Sequence, residues 1–130
     1  MSIQTTSPAV AVALAHCQAW SNHDFDTARK ALAHDVTVTA TTTNPTMPAT
    51  DLSGIDDYMR GLVAFAEAVE PGSLREIASV GDHHNALVLV TVKARFGPAD
   101  PTTLPAARLY LIDDNDKINA EHVVFFIPDE

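Results

Sequence analysis

Residues 106–127 read AARLYLIDDNDKINAEHVVFFI. Two apolar-rich runs, 106–112 and 118–127, flank the turn-forming Asp113-Asp114-Asn115-Asp116, which is the pattern of a β-hairpin. Each run carries one charge among largely apolar neighbours, Arg108 in the first and Glu121 in the second. Folded so that Ile112 faces Lys117, the hairpin places Arg108 directly opposite Glu121, on one face with Cβ atoms about 5 Å apart. By the two-residue period, Tyr110, Ile112, Val123 and Phe125 share that face, and Leu109, Leu111, Val124 and Phe126 share the other. A charge pair on an apolar sheet face predicts a small-molecule pocket. The alternative is an ion pair that only fixes register. With the opposite parity both charges would point to water and Leu109 and Leu111 would be buried.

Outward from the hairpin, Ala86–Phe96 reads as a long strand that brings Val88, Val90 and Val92 to the same inner face. Leu74–Val80 is a further strand, Gly81–Asn85 a turn, and Gly97–Pro105 a Pro-rich connection. The first half is helical. Ser7-Pro8 starts a helix over Ala9 to about Trp20, with Ser as N-cap and Pro at the first helical position. Asp24 caps a second, short helix running to about His34. Val36–Thr42 is β-branched and reads as a strand. Thr43–Leu52, with two prolines and several threonines, reads as a loop. Ser53 with Asp56 resembles a capping box that opens a third helix, in which Tyr58, Leu62, Phe65 and Val69 recur at helical spacing until Pro71-Gly72. Helices first, then mostly adjacent strands, is the α+β order: a bent antiparallel sheet with helices on one face and room for a cavity between them.

The composition excludes several classes. At 130 residues and 46% hydrophobic, residues 1–130 read as one domain able to bury a core without disulfides. A net charge of −9 argues against nucleic acid and against an anionic membrane as partners. A single cysteine, Cys17, suits a reducing compartment, and Ala9–Ala15 lacks the basic flank of a secretion signal, so the expected location is the cytoplasm. There is no His-Glu-x-x-His, paired-Cys, P-loop or dinucleotide pattern, and neither a metal nor a cofactor is expected. His83 and His84 sit in a turn and Asp113–Asp116 at a hairpin tip, too short for a calcium loop. Cys17 and His16 are helix neighbours that diverge by about 100° and do not form a nucleophile pair.

The segments Ala19–Asp26 and Ala31–Val38, Gly54 at the third helix and the Asp116-Lys117-Ile118 turn together resemble the cone-shaped fold of nuclear transport factor 2-like proteins, in its SnoaL-like branch. The resemblance spans about residues 9–127. It implies a strongly bent sheet wrapped around the N-terminal helices with an internal cavity, and a superfamily that includes ketosteroid isomerases, scytalone dehydratases and limonene epoxide hydrolases. Carried over residue by residue, the isomerase general base falls at Ala40, its first-helix tyrosine at His16 and its second oxyanion acid at Arg108, so steroid isomerisation is not expected. Arg108 and Glu121 resemble two of the three polar groups of the epoxide hydrolases, with Tyr110 where the other carboxylate would be. Glu121 matches the late-strand acid/base of the polyketide cyclases, and His16 and Tyr110 resemble the scytalone dehydratase cavity in residue type. The candidate catalytic residues are therefore Glu121, Arg108 and His16. The candidate pocket residues are Trp20, Tyr58, Val88, Val90, Val92, Tyr110, Ile112, Val123 and Phe125. The expected activity is binding of a hydrophobic carbonyl or epoxide compound with acid/base chemistry. The alternative is a non-catalytic module that dimerises through the outer sheet face.

Overall fold

The computed structural model describes residues 7–95, 98 and 100–127. Its elements are α1 (Pro8–Ser21), α2 (Phe25–Lys30), β1 (Leu32–Thr42), β2 (Thr50–Ser53), α3 (Ile55–Ala66), β3 (Arg75–Gly81), β4 (Asn85–Ala94), β5 (Thr102–Ile112) and β6 (Ile118–Phe125). The strands form one curved, unclosed sheet in the order β2-β1-β6-β5-β4-β3. Every neighbouring pair is antiparallel except β1 and β6, which are parallel. The three helices cover one face. This is the expected α+β architecture.

The helix starts follow from local chemistry. Ser7 Oγ accepts the Val10 N–H at 3.0 Å and Pro8 stands at the first helical position of α1. Asp24 caps α2 by accepting the Thr27 N–H. The α3 start differs from the expectation. Ser53 pairs with Thr37 as part of β2, so it is not available as a cap. The cap position is Gly54, at φ 89° and ψ 150°, with its N–H donating to Val36 O at 2.8 Å. That backbone region is reserved almost wholly for glycine.

Four boundaries also move for identifiable reasons. Helix α2 ends at Lys30 rather than near His34, because Ala31 O accepts the Ile118 N–H and Leu32 already pairs with Ile118 in the sheet. Helix α3 ends at Ala66 rather than near Pro71. His23 Nε2 lies 2.8 Å from the final helical carbonyl, Ala66 O, and 3.1 Å from Val69 O just past the end, and Val69 bridges to Ala94. The stretch read as a loop over 43–52 contains the start of β2, which pairs with β1. Strand β5 starts at Thr102, four residues before Ala106, because the supposed connection pairs with β4 through Thr102↔Ala94. Of the long β4 run, Phe96 lies outside the described residues.

The core sits between α1 and the β5–β4–β3 side of the sheet. Ala9, Val10, Ala13, Cys17 and Trp20 of α1 are buried with Val88, Val90 and Val92 of β4. The alanines let the helix approach the sheet closely, and the β4 valines alternate with outward residues as the pleat requires. No helix among the described residues is long and apolar enough to cross a membrane.

Candidate functional site

The hairpin decides the geometry. Arg108 is not opposite Glu121: the partners are Arg108↔Val123 and Tyr110↔Glu121, two residues away from the expected register. Two single-residue shifts add up to this. The turn closes with Asp113 N–H donating to Lys117 O, and Asp116 adopts φ 60°. Asn119 is then an extra residue, since Leu111 pairs with Ala120 and Ile112 with Ile118. One shift alone would have turned the two charges to opposite faces. Together they keep both on the inner face, so Arg108 and Glu121 are diagonal neighbours that still meet, with Arg108 Nη1 donating to Glu121 Oε2 at 3.0 Å. Both are buried, 4% and 3% exposed.

A pocket of about 210 Å³ lies against this pair. Its sheet wall is built from register: Glu121 pairs with Val38, and Val38 with Leu52, while Val123 pairs with Ala40, and Ala40 with Thr50. Phe125 completes the wall. The opposite wall is α3, which presents Tyr58, Gly61, Leu62 and Phe65, one helical face at spacings of three and four. Gly61 brings the helix close to β2, since a Cβ there would meet Leu52 Cδ1 at 2.7 Å.

Of the residues proposed from sequence, Arg108, Glu121, Tyr58, Val123 and Phe125 line this pocket. Trp20, Val88, Val90, Val92, Tyr110 and Ile112 do not. They are packed in the core, because α1 sits on β4 and fills that part of the inner face. His16 is buried behind Tyr58 rather than in the pocket wall. Missing from the sequence-based set are Val38, Ala40, Thr50, Leu52, Gly61, Leu62 and Phe65. For Val38 and Ala40 the signal was the period of two in β1, and for Leu62 and Phe65 it was the helical spacing from Tyr58.

The guanidinium is held by aromatic faces. Its carbon lies 4.8 Å from the Trp20 ring centre, 5.5 Å from Phe125 and 5.8 Å from Phe65, all within cation–π range. Arg108 Nε has no hydrogen-bond partner among the described residues. Glu121 receives the Tyr58 hydroxyl on Oε1. His16 Nε2 lies 3.2 Å from that same hydroxyl, and His16 Nδ1 lies 3.0 Å from Ala28 O. The Tyr110 hydroxyl lies 3.2 Å from Cys17 Sγ.

Electrostatics follow from burial and these neighbours. Burial pushes the Glu121 carboxyl up, but Arg108, then a charge on His16 and the two tyrosine hydroxyls, outweigh it and hold the group below its ordinary range. Burial opposes the Arg108 charge, and the Glu121 carboxylate beside it favours that charge, so the guanidinium stays protonated. Burial pushes His16 down, only partly offset by Glu121 and the Ala28 carbonyl. Burial raises both tyrosines and the Cys17 thiol, which are neutral and act through their hydrogens.

These directions give a pH dependence of stability. His16 folds with a value below 6.5, so as pH falls past 6.5 the unfolded chain takes up a proton that the folded chain resists. Glu121 folds with a value below 4.5, so the stability it supplies above 4.5 is lost as pH falls through its folded value. Both effects destabilise on acidification. Urea midpoints measured across this range are expected to fall in two stages, with Glu121→Gln removing the lower stage and His16→Gln the upper one.

The SnoaL-like domain model matches residues 13–121, and the chain belongs to that family. It lies within the nuclear transport factor 2-like superfamily. Solved structures show the same fold. A protein from Kribbella flavida DSM 17836 is 21% identical, with a TM-score of 0.74 over 94% of this chain and 88% of that one. An LEH-like epoxide hydrolase from M. tuberculosis is 21% identical, with a TM-score of 0.68 over 91% and 82%. A steroid delta-isomerase from Pseudomonas aeruginosa is 15% identical, with a TM-score of 0.68 over 98% and 85%. At these identities the likeness establishes the fold alone. No curated protein matches the chain by sequence.

Proposed function

We propose that this chain binds a small, largely apolar organic molecule between α3 and the β1–β6–β5 face and performs acid/base chemistry on its carbonyl or epoxide group. The observation that carries this is a buried ion pair, Arg108–Glu121, in a largely apolar pocket wall. A bound carbonyl or epoxide oxygen would lie against the Arg108 side chain, whose guanidinium would stabilise negative charge developing there. Glu121 is the proton acceptor and donor, held ionised and within reach of the pocket. The volume favours a one-ring ligand: about 210 Å³ exceeds the ~150 Å³ that encloses benzene and falls short of sites for drug-sized molecules. Structural neighbours with the same fold include an LEH-like epoxide hydrolase and a steroid delta-isomerase.

The test is thermal unfolding with a panel of hydrophobic carbonyl and epoxide compounds, including cyclohexanone and cyclohexene oxide. At hundredfold excess over Kd a ligand adds about 2.7 kcal/mol, several degrees of Tm. The wild type is expected to be stabilised saturably. Ala40→Phe, which fills the pocket, should lose the effect, and Glu121→Gln should bind without turnover. If nothing stabilises the wild type, or if Ala40→Phe responds equally, the proposal fails.

A second role has its own observation. Leu87, Val124 and Phe126 are 45%, 37% and 40% exposed on the outer face, beside half-buried Leu109 and Leu111. Leu87 and Leu109 are direct partners across β4 and β5, so the apolar surface is continuous. Such a face suits a homodimer. Sedimentation at micromolar concentration should show the dimer, and Leu109→Lys should dissolve it. A wild-type monomer contradicts this role without touching the pocket.

A further inference from the structure

Behind the pocket, three polar side chains form a row with one blind end. The row runs from Ala28 O to His16 Nδ1 (3.0 Å), from His16 Nε2 to the Tyr58 hydroxyl (3.2 Å), and from that hydroxyl to Glu121 Oε1. Three contacts need three hydrogens. A carbonyl and a carboxylate bring none, a phenol brings one and a neutral imidazole brings one. With His16 neutral and Glu121 ionised, the row is one proton short. Ala28 O can only accept, so His16 keeps its hydrogen on Nδ1, and the deficit falls on one side of Tyr58. The opposite side of Glu121 has no such gap. Arg108 donates to Oε2, and Tyr110 and Cys17, 3.2 Å apart, each bring a hydrogen.

We propose that His16 is the proton store of this pocket: the first proton the cluster takes up rests on His16 Nε2, reached from Glu121 through the Tyr58 hydroxyl. The balance is complete. The donor's X–H bond breaks and leaves its electron pair on X. Glu121 carries the proton briefly and passes it to the Tyr58 oxygen, as the original Tyr58 hydrogen moves to Nε2. The only net new bond is Nε2–H. Every contact in the row then holds a hydrogen, and Glu121 is again a carboxylate paired with Arg108. His16 does not line the pocket, so it is a positioning residue that acts through Tyr58 and Glu121.

The groups that face the row come from four elements: Cys17 beside His16 on α1, Tyr58 on α3, Arg108 and Tyr110 on β5, and Glu121 on β6. Helix α2 adds only the Ala28 carbonyl, and β4 turns only alanines and valines inward. Glu121 favours a charge on His16 more strongly than Arg108 opposes it.

Transfer from a bound molecule rests on the acid/base function proposed above, but the resting place of the proton does not. The experiment therefore uses no ligand, and its failure is separate from that of the compound panel. The whole protein, labelled with ¹⁵N in histidine and ¹³C in the glutamate carboxyl, is titrated by NMR from about pH 8 to about pH 4. His16 is expected to start as the Nδ1–H tautomer and to gain a proton on Nε2 while the Glu121 carbon stays still. In Glu121→Gln the His16 midpoint should fall by about one pH unit or more. A Glu121 carbon that moves first, or a His16 with its hydrogen on Nε2 at the start, overturns the proposal. If Glu121→Gln does not fold, the order of the two wild-type signals decides.

Discussion

Arg108→Met is expected to cost about 3–5 kcal/mol in urea unfolding near neutral pH, because it leaves the Glu121 carboxylate buried without its charge partner. Volume is nearly conserved, so little of the loss comes from a cavity. The loss should be pH-dependent with a definite sign. In the wild type Glu121 is held below 4.5 and supplies stability above that value. In the variant burial dominates and raises it, so the ionised form is penalised near neutral pH and the protonated form is tolerated in acid. The deficit between variant and wild type is therefore largest near pH 7 and shrinks toward pH 4. The double variant Arg108→Met/Glu121→Leu should recover most of the loss. With the carboxylate gone, the Tyr58 hydroxyl can donate to His16 Nε2, 3.2 Å away, and no charge remains to be satisfied. A double variant as unstable as the single would mean that packing, not charge, sets the cost.

Trp20→Ala carries the next largest effect, about 3–5 kcal/mol, since Trp20 is fully buried and among the largest such side chains. It also removes the nearest aromatic face of the guanidinium, at 4.8 Å. The loss should thus be coupled to the ion pair. In a double-mutant cycle with Arg108→Met, the two costs are expected to fall short of additivity by about 0.5–2 kcal/mol. Strict additivity would show that the ring supplies only bulk, and that Phe65 and Phe125 are enough to hold the guanidinium.

The hairpin shows how far a sequence carries such a site. The alternation of Arg108, Tyr110, Glu121 and Val123 with outward residues was legible, and it correctly puts both charges on the inner face. The register was not, because the five-residue closure of the turn and the extra Asn119 leave no mark in the hydrophobic pattern. Each alone would reverse a face, and the outcome survived only because there are two. The remaining wall was harder. Strand β2 is a four-residue edge strand, Thr50-Asp51-Leu52-Ser53, with one apolar side chain and therefore no period to detect. Val88, Val90 and Val92 carry the same alternation as true wall residues. What excludes them is α1 lying across β4, a tertiary fact. Tyr58 was visible as one member of a helical stripe, but its hydrogen bond to Glu121 joins residues 63 positions apart.

The inward Arg108–Glu121 pair can act only if it faces a pocket that a small molecule enters. Titrating the ¹⁵N-arginine-labelled protein with cyclohexanone while following the Arg108 Nε–H signal measures this directly. The prediction is a saturable shift of that signal, abolished in Ala40→Phe. An Arg108 signal that stays fixed, while a uniformly ¹⁵N-labelled sample shows outer-face amides such as that of Val124 responding, would contradict it.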